Sequence, residues 1–321
     1  MSGRLLDEVI ETEREGKPRE TGITMVTDLV GALDDALLEQ NGDYVDYVKI
    51  GMSAPLLMER SRLLERVRRY HDFGIKVLCG GTLSEIAVQK GVTAEILEGL
   101  SALEFDAVEV SEHAGRIPME TKRKMADNLS SLSLEGIFQV DWQPGQSSAA
   151  IASSIRECFE LNSKRVVLSV PTEGEVAKGL KAGIAWDMLN EIVGAFGPPS
   201  IIFQDREMSR LTSLILEFGP KVNLAGLSLN EALVLEMQRL GLTTETLGLS
   251  RSRQSFEGSP AEKFVFHLVR AEHPIDQATL ALRSGLPRRT IQAAVSGLIQ
   301  AGVVREIADS TDMRKHRYTV S

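Results

Sequence analysis

The chain has 321 residues, 43% of them hydrophobic and 25% charged, the composition of a globular protein with room for one large core and one small one. No apolar run approaches the ~20 residues of a membrane span and the first twenty residues are charged rather than signal-like, so no membrane partner and a cytoplasmic location are expected. The net charge is −9, but residues 259–321 hold nine Lys and Arg against six Asp and Glu, which leaves −12 on residues 1–258. An acidic body repels phosphate backbones, so nucleic-acid contact is confined to the C-terminal segment.

In chain order, residues 1–20 are an N-terminal extension, and from 21 to 250 short apolar or β-branched runs alternate with segments of helical period. The spacing predicts strands over 23–26, 45–50, 75–78, 107–110, 136–140, 165–169, 200–203 and 222–224. Between them lie amphipathic stretches, such as 61–73, where Leu63, Leu64, Val67 and Tyr70 share one face and Gly74 closes the helix. Similar helices fit 121–132, 147–160, 206–218 and 229–239. Eight such units predict an α/β protein, a TIM (β/α)8 barrel; a doubly wound open sheet is the rival, because periodicity does not show closure. Cys79 and Cys158 are far apart and lack metal-ligand spacing, and Cys79 is read as packed at a strand end.

Barrels place their chemistry at the C-terminal ends of the strands. Gly80 and Gly81 allow a tight turn after strand three and close approach of backbone N–H groups to an anion, with Thr82 as a cap for the next helix. They form a candidate phosphate or carboxylate cradle, or simply turn the chain. Lys49 ends an apolar strand and is costly to bury unpaired, so it reaches an anionic ligand or pairs with Asp28 or Glu109. Glu109 is placed to ligate Mg²⁺ or to hold Lys49. Lys49 and Glu109 are the candidate catalytic residues; Asp28, Gly80, Gly81, Thr82, Ser111 and Asn223 are the candidate ligand-binding ones.

Over residues 21–250 the chain resembles the phosphosulfolactate synthase family, barrel enzymes whose implied reaction adds sulfite to phosphoenolpyruvate with Mg²⁺ in coenzyme M synthesis. The likeness rests on Gly42 to Gly51 (GDYVDYVKIG), Gly74 to Val77, Gly80-Gly81-Thr82-Leu83 with Glu85, Phe105 to Ser111 (FDAVEVS), Phe218-Gly219 and Val222 to Ala225 (VNLA). There are departures. Leu29 follows Asp28 where the family has a lysine, and Gly51 to Pro55 (GMSAP) replaces a glycine-tryptophan-glycine-threonine-serine run. Gln139 and Trp142 fall at a glutamate and a lysine, Ser169 and Pro171 at a glutamate and an arginine, and Gln204 at a glutamate. Neither Gln nor Ser replaces a carboxylate's charge or basicity, so the family reaction is in doubt, while Asp141, Glu112, Asp205 and Arg206 remain for a rearranged site. His113 is a further acid or base at the strand-four loop, or a surface residue; His71 sits in a charged helix.

Residues 251–258 read as a linker, and 259–321 as a small α+β winged helix-turn-helix domain. A helix runs from the Ser259-Pro260 cap to Ala271 with Phe264, Val265, Leu268 and Val269 inward; a second covers 276–283; a third runs from Pro287 through Gln300 with Ile291, Val295, Leu298 and Ile299 inward. Residues 303–307 and 316–320 form a hairpin wing. This stretch resembles winged helix domains of archaeal and bacterial transcription regulators, notably over 285–291 and 298–304. The resemblance implies DNA contact through Arg288, Arg289, Thr290 and Gln292 in the major groove, and through Arg314, Lys315 and Arg317 at the wing; such domains also bind proteins. Dimerisation would double the modest +3, so a homo-oligomer is expected.

Three functions compete. The first is a regulator whose barrel senses a small anionic or phosphorylated metabolite and whose tail binds DNA. The second is an active Mg²⁺-dependent synthase of the family type, and the third a structural protein with no ligand.

Overall fold

Branched side chains fit a pleated sheet buried on both faces, and the runs rich in Val and Ile become parallel strands of four to six residues. The computed structural model describes residues 15–143, 145–170, 184–246, 259–271, 275–308 and 316–320. The chain divides into two compact units, 1–247 and 248–321.

In the first unit the elements run β1 (Thr24–Asp28), α1 (Asp35–Asn41), β2 (Tyr47–Ile50), α2 (Arg60–His71), β3 (Lys76–Cys79), α3 (Gly81–Lys90), α4 (Thr93–Ala102), β4 (Ala107–Val110), α5 (Met119–Ser131) and β5 (Glu135–Val140). Then come α6 (Ser148–Glu160), β6 (Val166–Ser169), α7 (Trp186–Phe196), β7 (Ile201–Gln204), α8 (Met208–Phe218), β8 (Asn223–Leu227) and α9 (Ala232–Arg239). Each strand pairs in parallel with the next, and β8 returns to β1 through Thr24↔Leu224 and Met25↔Ala225. The barrel is closed, which settles against the open sheet.

Side chains alternate across a strand, so one parity fills the barrel. Met25, Tyr47, Leu78, Ala107, Ile137, Val167, Ile202 and Ala225 form that apolar interior together with Ile23. Two residues further on, the same parity delivers Lys49, Gly80, Glu109, Gln139, Ser169 and Gln204 to the C-terminal rim. The apolar layer below makes the rim the place where polar groups collect.

Strand boundaries moved most at β8, expected at 222–224 and found at Asn223–Leu227. The strand passes through Gly226, at φ +105, where the register with β1 slips. A Cβ there would lie 2.1 Å from the Asp205 carbonyl oxygen, so only glycine lets β8 run beside the end of β7. Helix α2 buries Leu63, Val67 and Tyr70 and is followed by Gly74 at φ +62, as its sequence predicts.

The second unit comprises α10 (Pro260–Ala271), β9 (Ile275–Asp276), α11 (Gln277–Ser284), α12 (Arg288–Gln300), β10 (Val304–Ala308) and β11 (His316–Val320), with an antiparallel sheet in the order β10-β11-β9. Asp276 caps α11 by accepting from the Thr279 N–H at 2.7 Å, and Gly285, left-handed at φ +63, ends it. Val265, Val269, Leu280, Ile291, Val295 and Leu298 are buried in its core. Phe264 and Ile299, expected to face inward, are 43% and 37% exposed: α10 and α12 bury narrower stripes than their apolar content suggests. The linker 251–258 and the wing residues Arg314 and Lys315 lie outside the described residues, as does Pro171. No helix among the described residues is long and apolar enough to cross a membrane.

Candidate functional site

Lys49 is brought to the rim by β2 and is only 7% exposed. Burying an ammonium is tolerable when acceptors surround it. Its Nζ donates to Glu109 Oε1 at 2.7 Å and to Gln204 Oε1 at 2.6 Å. Glu109, 3% exposed on β4, accepts with its second oxygen from the Gly81 N–H at 2.8 Å. Of the acids the sequence offered it, Lys49 pairs with Glu109, and the N-terminus of α3 holds a carboxylate belonging to the chain.

Asp28 is turned to a different partner. It accepts from Arg66 Nε at 2.6 Å and Nη2 at 2.9 Å, from the Tyr70 hydroxyl at 2.8 Å and from the Val30 N–H at 2.7 Å. Burial, reinforced by Asp28, pushes the Tyr70 hydroxyl well above the ordinary tyrosine range, so it stays protonated and donates.

Gly80 is the N-cap of α3, and Thr82, expected to cap, lies exposed in its first turn. A Cβ on Gly81 would approach Ser111 Oγ to 2.3 Å, so glycine is required there by the packing of α3 on β4, whatever the site binds. The Ser111 hydroxyl donates to Glu85, which also accepts from the N–H groups of His113 at 2.9 Å and Ala114 at 2.7 Å. A second cradle of backbone donors is thereby filled by an internal carboxylate. Cys79, below Gly80, is fully buried and burial pushes its thiol far up, so it is not a nucleophile.

Across the rim, Asp141 gathers three donors: Gln139 Nε2 at 2.8 Å, Ser169 Oγ at 2.5 Å and the His113 ring, whose Nδ1 is 2.8 Å from Oδ2. His113 Nε2 lies 3.2 Å from Gln139 Nε2, so the imidazole, the amide and Asp141 form one polar cluster. Sequence reading noted His113 and Asp141 separately and missed the pair, which spans two loops and has no spacing signal. Asp205 is clamped by Arg210 at 2.6 and 2.8 Å; Arg206 is exposed instead. Glu112 holds Lys122 at 2.8 Å and accepts from the Ile117 N–H at 2.6 Å.

Asn223 does not belong to this group. It is the first residue of β8, at the opposite end of the barrel, fully buried, accepting from the Ile23 N–H and donating to the carbonyls of Pro199 and Ile201. It ties strand starts together. The expected strand 222–224 ended too early and put Asn223 at the wrong rim.

Mg²⁺ requires an octahedron of oxygens, usually with carboxylates free to supply one or two. Here the oxygens of Asp28, Glu85, Glu109, Asp141 and Asp205 face cations, N–H groups or hydroxyls of the chain itself. Among the described residues no group of three or more His, Cys, Asp or Glu could hold a metal ion. The described residues at this rim do not offer such a set to a resident Mg²⁺.

In the second unit, Arg288, Arg289 and Gln292 are exposed at the start of α12 and Thr290 is half-buried. Arg317, half-buried on β11, is close enough to Asp276 to help hold its carboxyl below the ordinary aspartate value, an effect due first to the Thr279 hydrogen bond.

The described family (2R)-phospho-3-sulfolactate synthase (ComA) matches residues 12–245. A phosphosulfolactate synthase of Methanocaldococcus jannaschii is 29% identical over 236 residues, 71% of this chain and 94% of the relative. That of Methanothermobacter thermautotrophicus is 29% identical over 249 residues, 73% of this chain and 95% of the relative. That of Bacillus subtilis is 28% identical over 247 residues, 74% and 96%. The family match stops at residue 245, two residues before the first unit ends.

Proposed function

Because this chain belongs to the (2R)-phospho-3-sulfolactate synthase family, we propose that its barrel keeps the family's shape as a small-ligand-binding unit without the family's turnover, and that residues 259–321 are a winged helix contacting DNA. The whole is then a metabolite-responsive transcription regulator.

One observation carries this reading: among the described residues at the rim, Lys49 and Glu109, Arg66 and Asp28, His113 and Asp141, and Arg210 and Asp205 are paired with one another. A catalytic acid or base needs an open lone pair or proton directed at substrate, and a phosphate-binding lysine needs its charge uncommitted. Lys49 and Glu109 spend most of that capacity on each other, on Gln204 and on the Gly81 N–H. The same pairing favours an uncharged ligand over the anionic one expected from sequence, because Glu109 and Glu85 already sit on the N–H groups an anion would seek.

The DNA half rests on the order helix, strand, helix, helix, hairpin, with Arg288, Arg289 and Gln292 exposed where a major-groove reader carries them. The full-length protein is expected to bind duplex DNA in a salt-dependent manner, read by fluorescence anisotropy at several salt concentrations. Negligible affinity at low salt would remove the regulator.

A second reading is an active Mg²⁺-dependent synthase, favoured by 28–29% identity to three phosphosulfolactate synthases and by the Lys49–Glu109 pair at the rim. Consumption of phosphoenolpyruvate and sulfite that requires Mg²⁺ and falls in Glu109→Gln would establish it.

A further inference from the structure

Outside β5, between α5 and α6, lies a cleft of about 490 Å³, within the volume range of small-molecule sites. Its wall includes Phe138 and Val140, the outward parity of β5, and α6 contributes Ser153 and Ser154; Gln139 and Asp141 stand at its rim end.

Lys122 marks the cleft as a binding site. Carried by α5, it is only 5% exposed, yet among the described residues its ammonium has one hydrogen-bond partner, Glu112 Oε2 at 2.8 Å. An ammonium has three N–H donors, and burying two without acceptors is costly unless something in the cleft accepts.

The remaining lining restricts what that is. Lys122 with Glu112, Arg116 with Glu157 at 3.7 Å, and His113 with Asp141 at 2.8 Å are internal pairs, so the cleft offers neither a free cation cluster nor a free acid cluster to an ion. The side chains of Gln143 and Ser153 are exposed and have no hydrogen-bond partner among the described residues. Amides and hydroxyls both donate and accept, which matches ligand hydroxyls that do the same.

We propose that this cleft binds an uncharged polyhydroxylated small molecule of pentose or hexose size, with Lys122 donating to one of its oxygens and the Gln and Ser side chains matching its hydroxyls. The proposal rests on the reading of the barrel as a ligand-binding unit, and not on the DNA reading.

Calorimetric titration of the full chain with D-ribose, D-glucose and myo-inositol tests it, with inorganic phosphate and phosphoenolpyruvate as charged arms. At least one uncharged probe is expected to saturate and both anions to fail. Lys122→Met should weaken that probe about tenfold or more. Since this leaves Glu112 unpaired and can disturb folding, Ser154→Trp, which fills the cleft and breaks no ion pair, should abolish binding while circular dichroism stays unchanged. No binding by any of the three probes, saturation by the anions alone, or undiminished affinity in a folded Ser154→Trp protein would overturn the proposal. DNA affinity measured on the same samples keeps the two readings apart: sugar binding without DNA binding sinks the regulator only, and the reverse sinks the cleft only.

Discussion

In the first unit Lys49, on β2, and Arg66, Lys122 and Arg210, on helices, each lie 2.6–2.8 Å from a carboxylate. Arg288 and Arg289, in the first turn of α12, are exposed and have no ion-pair partner among the described residues. The difference follows from solvent. A cation in a rim floored by apolar side chains must find an anion to be buried at all, whereas an exposed guanidinium is solvated and can exchange water for a phosphate. Lys49 is thus committed within the barrel, and the arginines of α12 are left in water.

The hardest way to break this contrast is to remove one side of the rim pair. Lys49→Met should destabilise the barrel by about 3–5 kcal/mol, because Glu109 is left buried and unpaired; Lys49→Met with Glu109→Leu should recover much of it. Urea unfolding measures both. If Lys49→Met costs nothing, the pair is not structural and the rim has charge to spare for substrate. Gly81→Ala comes next, at about 1–3 kcal/mol, since its methyl must displace Ser111. That loss should appear with or without any ligand present.

On the exposed side, Arg288→Ala and Arg289→Ala should each weaken DNA binding about tenfold and lower the salt slope by about one, while the urea midpoint of the barrel stays put. Equal loss of barrel stability would mean these side chains have structural partners after all. Asp276→Ala should cost the second unit about 1 kcal/mol through the lost cap. The folded carboxyl is held below its ordinary value, so its stabilisation is complete above that value and is lost as pH falls through the lowered one. Asp276→Asn keeps a capping oxygen and should erase that acid dependence.

Strand parity made part of the rim legible in advance. Alternation in β2, β4, β5, β6 and β7 is regular, so Lys49, Glu109, Gln139, Ser169 and Gln204 could be placed at the rim from sequence. It failed where the backbone breaks the rule: β8 runs on past 224 through an irregularity at Gly226, and the shorter strand expected over 222–224 misplaced Asn223. It also missed contacts made by loops. Glu85 reaching the N–H groups of residues 113 and 114, and His113 reaching Asp141, depend on loop paths that no residue period encodes. The two-residue β9 is too short for any pattern to show, although its Asp276 cap is a readable signal for α11.

Lys17, at the other end of the barrel, sharpens the comparison, being a mostly buried cation held by carbonyls rather than by a carboxylate. Its Nζ donates to Gly42 O at 2.7 Å and Phe73 O at 3.0 Å. Burial, the largest cause, lowers its pKa from 10.5 to about 8 in the folded chain. The sign is then fixed by linkage: the unfolded chain binds this proton more tightly, so stability rises as pH rises through the folded value toward the unfolded one, and is lost again as pH falls. Above the ordinary tyrosine range the buried hydroxyls of Tyr47 and Tyr70, whose values burial raises, act in the opposite sense and turn the curve down. Between pH about 8 and about 10 the urea midpoint of the barrel should therefore climb, and Lys17→Met should flatten that climb. A slope that survives Lys17→Met would place the titrating group elsewhere, and carbonyl oxygens would then have proved as good a counterpart for a buried ammonium as Glu109 is for Lys49.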